Sequence, residues 1–222
     1  MEAGPVNYGR IVGMDWVAWH ARYDDPSSWL SGRLRRVSLH LSEAIDRAPP
    51  GPVRVVSLCA GQGRDVIGVL PGHPRRDDVR AVLVEVDPSL AEAARRAAAE
   101  AGLAQVEVRE ADAAAVANFA DALPADVLLL CGIFGNISDE DIKRTVEASA
   151  AVCTPGATVI WTRHRAAPDV TPRIRAWFTA SGFDELAFAA TGPDTLMGLG
   201  ANRLRRAATA GLPDRPLFTF RR

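Results

Sequence analysis

Val53-Arg54-Val55-Val56-Ser57-Leu58-Cys59-Ala60-Gly61-Gln62-Gly63-Arg64-Asp65 is the stretch whose reading decides the fold. A short, β-branched apolar run ends in a turn of small residues, and a helical pattern follows from Asp65 to Leu70. That order predicts a strand, a glycine turn and a helix. Glycine lets a backbone approach a ligand closely, and a helix start offers unpaired N–H groups. A lone Gly-x-Gly is common in turns, so the weight comes from the order of the elements downstream.

Over residues 79–204, strands and helices are expected to alternate. Val79–Val86 reads as the second strand. Asp87-Pro88 then opens a helix, with a capping side chain followed by proline at the first helical position, and the helix runs over Leu90–Ala101. Gln105–Arg109 is a third strand and Ala113–Ala122 a helix. Ala125–Cys131 is apolar throughout, as a strand buried on both faces would be. Asp139–Val152 is helical. Pro155-Gly156 turns the chain into a fifth strand, Ala157–Thr162, and Asp169–Ser181 is a helix. Phe183–Ala190 and Thr195–Leu204, joined by the short Thr191–Asp194 connection, are expected to pair antiparallel. Leu217–Phe220 reads as one last edge strand. Alternation of this kind implies a mostly parallel sheet with helices on both faces.

Upstream, Met1–Arg10 is read as irregular. Gly13–Arg22 is aromatic-rich, with Trp16, Trp19 and His20, and Tyr23 comes next. Asp24–Ser28 reads as a turn and helix cap. A helix over Trp29–Ala48 carries Leu30, Leu34, Val37, Leu41 and Ile45 on one face, and Pro49-Pro50-Gly51-Pro52 ends it.

The 222 residues carry a net charge of −1, which gives no general reason to expect nucleic acid or membrane as partner. Arginine supplies nearly all the basic charge, with Lys143 the only lysine. The C-terminal end is locally basic: Arg203, Arg205, Arg206, Arg215, Arg221 and Arg222 against Asp214. It reads as a solvated tail, with a site for an acidic ligand or partner as the alternative. Cys59, Cys131 and Cys153 are odd in number and lack ligand spacing, so neither a disulfide framework nor a zinc site is expected. No leader and no long apolar run is recognised, and the expected home is a reducing cytoplasm, as monomer or homodimer.

Ligands of such sheets gather outside the carboxyl ends of the strands. Those ends read Cys59-Ala60-Gly61-Gln62-Gly63, then Glu85-Val86, then Asp112-Ala113, then Cys131-Gly132-Ile133-Phe134. Small residues, an acid, a second acid and an apolar cap suit a nucleoside without a pyrophosphate. Glu85 is placed to accept from ribose hydroxyls, with a solvated strand-end acid as the plain alternative, and Asp112 from an adenine amino group, with helix capping as its alternative. Val86 and Phe134 are expected to sandwich the ring.

In these residues the chain resembles the class I S-adenosylmethionine-dependent methyltransferases over roughly residues 50–205. Val55–Gly63 resembles the first motif of that family, Leu83–Pro88 the second, Glu110–Ala113 the third, and Thr154–Ala157 the turn before strand five. The Ala-Gly-Gln-Gly-Arg-Asp turn and the Trp-His-Ala-Arg-Tyr-Asp-Asp-Pro segment also resemble an uncharacterised group of bacterial methyltransferases, which implies no substrate. The resemblance implies an α/β, Rossmann-like, doubly wound and mostly parallel seven-stranded sheet over residues 51–222, with an antiparallel C-terminal hairpin. Residues 1–50 would form an N-terminal helical lid. It further implies S-adenosylmethionine as cofactor and methyl transfer, and the acceptor is expected to be a small molecule because the motifs of other subclasses are missing.

Two departures stand out. Ser57 occupies a position where the family often carries an acid that helps hold the methionine amino group, so that duty passes to backbone carbonyls or an N-terminal residue. Cys59 stands where glycine is usual. Cys59 and Cys131 are read as pocket-wall neighbours, with an oxidation switch as the alternative.

On the acceptor side the candidates are His164, just beyond strand five, and Tyr23 and His20 in the lid. A histidine there has the pKa of a general base, although orientation alone supplies much of the acceleration of methyl transfer, which makes a base optional. No Asn-Pro-Pro-Tyr comes after strand four, no Pro-Cys nucleophile occurs, and no carboxylate cluster marks a magnesium site. Three rival classes remain, the last a minor one. A nicotinamide-dependent oxidoreductase would want a third glycine at Val66. A non-catalytic S-adenosylmethionine-binding module would keep the pocket without turnover. An aminopropyl transferase would show an acidic pair after strand four.

Overall fold

Seven strands form one sheet in a computed structural model that describes residues 22–190, 197–206 and 211–221. They are β1 (Val53–Leu58), β2 (Val79–Glu85), β3 (Val106–Glu110), β4 (Ala125–Leu130), β5 (Cys153–His164), β6 (Phe183–Ala189) and β7 (Met197–Leu204). Their order is β3-β2-β1-β4-β5-β7-β6. The pairs from β3 to β5 are parallel, whereas β7 runs antiparallel to both β5 and β6. Strand order reverses between β1 and β4, so a crevice is expected at their carboxyl ends.

Side-chain alternation along each strand separates two cores. Val56, Leu58, Leu128 and Leu130 face one of them, together with helices α4 (Asp139–Val152) and α5 (Thr171–Ala180). Val55, Leu83, Val127 and Leu129 face the other, against α1 (Trp29–Arg47), α2 (Arg64–Val69) and α3 (Pro88–Glu100). Helix α1 starts at Ser28, whose Oγ accepts the N–H of Ser31 at 3.1 Å. It stops before Pro49, which disfavours a helical conformation at the residue preceding it. Val37, Leu41 and Ile45 pack into the second core, so most of α1 belongs to the body of the protein and only its first turns reach the rim.

Trp161 anchors the first core. Its indole stacks on Phe178 with centroids 5.9 Å apart, and its Nε1–H donates to Asn202 Oδ1 at 2.8 Å. Gly200 makes room for it, since a Cβ there would stand 2.3 Å from Trp161 Cε2.

Three expectations are corrected. Residues 113–122 are not a helix but two single 3₁₀ turns, Val116–Asn118 and Ala120–Ala122, split by Phe119 at φ −142°. Strand β5 begins at Cys153 rather than Ala157, because Pro155-Gly156 is absorbed where the register with β4 shifts. Leu217–Phe220 is no strand. Leu217 and Phe218 are both buried, and the Leu217 N–H donates to the Ala114 carbonyl at 2.8 Å. Thr145 Oγ1 donates to the Leu217 carbonyl at 3.0 Å, so only one isolated bridge remains, between Ile137 and Phe220. The expected start of strand seven at Thr195, the Thr191–Asp194 connection, Trp16, Trp19 and His20 lie outside the described residues.

Candidate active site

The carboxyl ends of β1, β2, β4 and β5 open into a cavity of about 620 Å³. The first wall is the glycine turn. Cys59, Gly61 and Gly63 have φ of 54°, 57° and 65°, the left-handed region. Gly63 strongly favours glycine, because a Cβ would stand 2.5 Å from Leu83 Cδ2 in addition to the backbone strain. Helix α2 has six residues, and Val66 near its start is buried in the core.

Glu85 ends β2 and fastens that turn. It is 7% exposed. Its Oε2 accepts the Gly61 N–H at 2.8 Å and its Oε1 the Asp87 N–H at 2.9 Å. Each carboxylate oxygen thus keeps acceptor capacity on the cavity side. Asp87 caps α3, its Oδ1 accepting the Ser89 N–H at 2.8 Å. Val86, Pro88 and Leu90 continue the apolar wall beside Glu85.

Cys59, Ala60, Gly61, Gln62, Glu85, Val86, Cys131 and Gly132 line the cavity, as do Tyr23 and His164. Gly63, the last residue of the turn, does not reach the cavity wall. Ala113, Ile133 and Phe134 do not reach the cavity wall; all three are buried in the first core, where Phe134 packs 6.0 Å from Trp161. The expectation that Phe134 walls a ring is therefore corrected: after β4 the chain turns inward. Asp112 is exposed and outside the wall, and its Oδ1 accepts the Ala114 N–H at 2.9 Å as a turn cap. His20 is outside the described residues.

The pairing of Ser57 with Leu129, carried two residues further, brings Cys59 beside Cys131. Burial, reinforced by Glu85 and Asp112, pushes the Cys59 thiol well above the usual thiol range. Burial, reinforced by Asp65, pushes Cys131 up to about 12. Both shifts favour the thiol over the reactive thiolate, which speaks for the pocket-wall reading over an oxidation switch.

The opposite wall comes from the chain before and at the start of α1. Arg33 Nη2 donates to Tyr23 Oη, and burial pushes the Tyr23 phenol up. Arg64 Nη1 donates to Asp24 Oδ1 at 2.7 Å, with its guanidinium 5.5 Å from the Tyr23 ring centroid. The glycine turn thus holds the Arg22–Asp24 segment beside itself.

His164 closes β5. Its Nδ1 accepts the Ala166 N–H at 3.0 Å, which places the proton of the neutral ring on Nε2. A neutral His164 so held has no spare lone pair for a base.

Several wall residues escaped the sequence reading: Arg33, Leu34 and Val37 of α1, Asn136, Arg163, Met197 and Phe220. Arg33 borders the apolar stripe of α1 and was legible only as a helix-surface charge. Asp65, expected as a cap or arginine partner, also lines the cavity, and burial raises its carboxyl pKa while the Arg33 charge lowers it. Among the described residues no group of three His, Cys, Asp or Glu side chains is arranged to hold a metal ion, and no helix is long and apolar enough to cross a membrane.

The methyltransferase domain family matches residues 55–156. An O-methyltransferase family protein from Burkholderia thailandensis superposes with a TM-score of 0.65 over 87% of this chain and 61% of its own, at 18% identity. The magnesium protoporphyrin IX methyltransferase of Synechocystis, solved with bound S-adenosylmethionine, gives 0.65 over 91% of this chain and 100% of its own, at 12% identity. An O-methyltransferase family 2 protein from Planctomyces limnophilus, in complex with apigenin, gives 0.60 over 78% and 59%, at 17% identity. The chain spans about three fifths of the length of the two O-methyltransferase family structures. No curated protein matches the chain. Residues 55–156 thus match the methyltransferase domain family, and the described sheet has the Rossmann-like fold of the methyltransferase structures.

Proposed function

We propose that the chain binds S-adenosylmethionine in this cavity and transfers its methyl group to a small-molecule acceptor. The observation that carries the reading is Glu85, a nearly buried carboxylate braced by one backbone N–H on each oxygen at the cavity wall. Its remaining acceptor capacity suits the two hydroxyls of a ribose, and the left-handed glycine turn beside it admits a ligand close to the backbone. Val86, Pro88 and Leu90 offer an apolar face to an adenine. Bound there, S-adenosylmethionine supplies an activated methyl group on a sulfonium centre.

The chain's own residues then bind and orient. Asp65 is the acid that takes over where Ser57 has replaced the usual one: it lines the cavity, and a cationic amino group would relieve the cost of its burial. The Arg22–Asp24 segment and the first turns of α1 act as the lid that restricts water. Tyr23 and His164 line the cavity where the acceptor would be oriented, and rate enhancement rests on proximity and orientation rather than on a histidine base. Val66 speaks against a nicotinamide dinucleotide. It fills the core where that fingerprint needs glycine for close packing.

Incubation with methyl-labelled S-adenosylmethionine and a library of phenols, amines, thiols and organic acids tests the activity by mass spectrometry. Label in one acceptor class, abolished by Glu85→Ala, is expected. Cofactor binding with no labelled acceptor in any class would favour the non-catalytic binding module.

A further inference from the structure

Arg163 follows Thr162 at the carboxyl end of β5 and lines the same cavity. Its guanidinium lies over the turn after β4, with Nη1 3.9 Å from where a Cβ on Gly135 would stand. Its Nε is buried and has no hydrogen-bond partner among the described residues, and no carboxylate forms a salt bridge with it there. Arg163 is half-buried, and a guanidinium whose buried Nε lacks an acceptor carries a desolvation cost, because arginine cannot shed its proton to escape it.

The carboxylates nearest in its field are already engaged. Asp139 accepts from Arg173 Nη1 at 2.8 Å, and Asp169 from Arg165 Nε at 2.9 Å. Arg221 adds further positive charge, held at this rim by its N–H bond to the Asn136 carbonyl at 2.9 Å. Four arginines therefore face two aspartates at this end of the sheet. Thr162 and Arg163 sit on the β4–β5 side of the crevice, away from Glu85 on β2. The apolar surface beside Arg163 comes from Phe220 and from Met197, whose strand position pairs with His164.

We propose that the acceptor is an organic anion, with an apolar body against Met197 and Phe220 and its carboxylate or phosphate bound by Arg163. The proposal rests on the methyltransferase reading only for calling that ligand the acceptor; the anion site stands on the residues of β5 and the C-terminal segment. A planar guanidinium binds either oxyanion through two parallel N–H bonds. The basic C-terminal end, through Arg221, makes the surrounding potential positive.

The test is calorimetric titration of the full chain with benzoate, phenyl phosphate and neutral benzamide, in the wild type, Arg163→Gln and Arg163→Lys. S-adenosylhomocysteine is titrated in parallel. One or both anions are expected to bind the wild type about 10- to 100-fold more tightly than benzamide, the span of one charge-assisted hydrogen-bonded contact. Which anion binds distinguishes carboxylate from phosphate. Arg163→Gln is expected to erase the preference, Arg163→Lys to keep part of it, and both to bind S-adenosylhomocysteine as the wild type does. Equal binding of benzamide, no binding of either anion, or an unchanged preference in Arg163→Gln overturns the proposal. The wild-type comparison decides the matter even if a variant fails to fold. Loss of S-adenosylhomocysteine binding with the anion preference intact would remove the cofactor reading and leave the anion site.

Discussion

Glu85 Oε2 accepts the N–H of Gly61 at 2.8 Å, tying the end of β2 to the glycine turn that comes after β1. The same carboxylate therefore has a structural duty and a proposed ligand-binding duty. Glu85→Ala is expected to weaken S-adenosylhomocysteine binding by about 1–3 kcal/mol from the lost ligand contact, with a further loss from the loosened turn. Glu85→Gln keeps one acceptor oxygen and one of the two backbone bonds, so it should fall between wild type and alanine. Titration calorimetry of the three proteins measures this; wild-type affinity in Glu85→Ala would refute the assignment.

Asp65 makes a prediction about pH. Burial raises its pKa above the ordinary 3.8, so the folded chain holds this proton more tightly than the unfolded chain. Stability from this group is thus lost as pH rises from 3.8 through the raised folded value. Asp65→Asn cannot titrate, and its Tm advantage over the wild type is expected to widen as pH rises through that window. The same variant should lose about 1.5–3 kcal/mol of S-adenosylhomocysteine affinity, the scale of a hydrogen bond to a charged group. Thermal melts at several pH values, with calorimetry beside them, check both halves.

The cysteines are expected to be inert in the folded chain. Cys131, pushed up to about 12, would be a thiolate in only about one molecule in ten thousand at pH 8, against about a quarter for a free thiol. Cys59 and Cys153 are raised further by burial, and Cys153 is also nearly inaccessible. Reaction with an aromatic disulfide reagent should be slow in the native protein and fast after denaturation. Rapid native labelling of Cys59 or Cys131 would restore the redox alternative.

Gly200→Ala tests the core. The new Cβ would meet Trp161, which is fixed by stacking on Phe178 and Phe188 and by its bond to Asn202. Overpacking of this kind costs about 1–3 kcal/mol, which lowers the Tm of a chain this size by roughly 2–12 °C. A melt within error of wild type would mean that β7 yields at this point.

Local chemistry made much of this architecture legible. The glycine turn, Glu85 at the end of the second strand and the Asp87-Pro88 helix start are each decided by neighbours in sequence, and they lie where their patterns place them. Phe134 was misread because an apolar residue after a buried strand faces either the crevice or the core, and only the turn of the backbone decides which. The 3₁₀ turns over residues 116–122 replaced an alanine-rich helix because tertiary packing of Phe119 outweighed propensity. Met197, Phe220 and Arg163 were invisible as site residues. Met197 reaches the rim through the antiparallel pairing of β7 with β5, and Phe220 through the docking of the C-terminal segment on α4 and the 113–119 loop. Neither contact leaves a periodic signal in the sequence.

The central claim is the cofactor, and titration of the purified chain with S-adenosylhomocysteine, with NAD and NADP in parallel, tests it most directly. The account predicts binding of S-adenosylhomocysteine in the micromolar range and none of either dinucleotide. Absence of S-adenosylhomocysteine binding, or preference for a nicotinamide nucleotide, would contradict it.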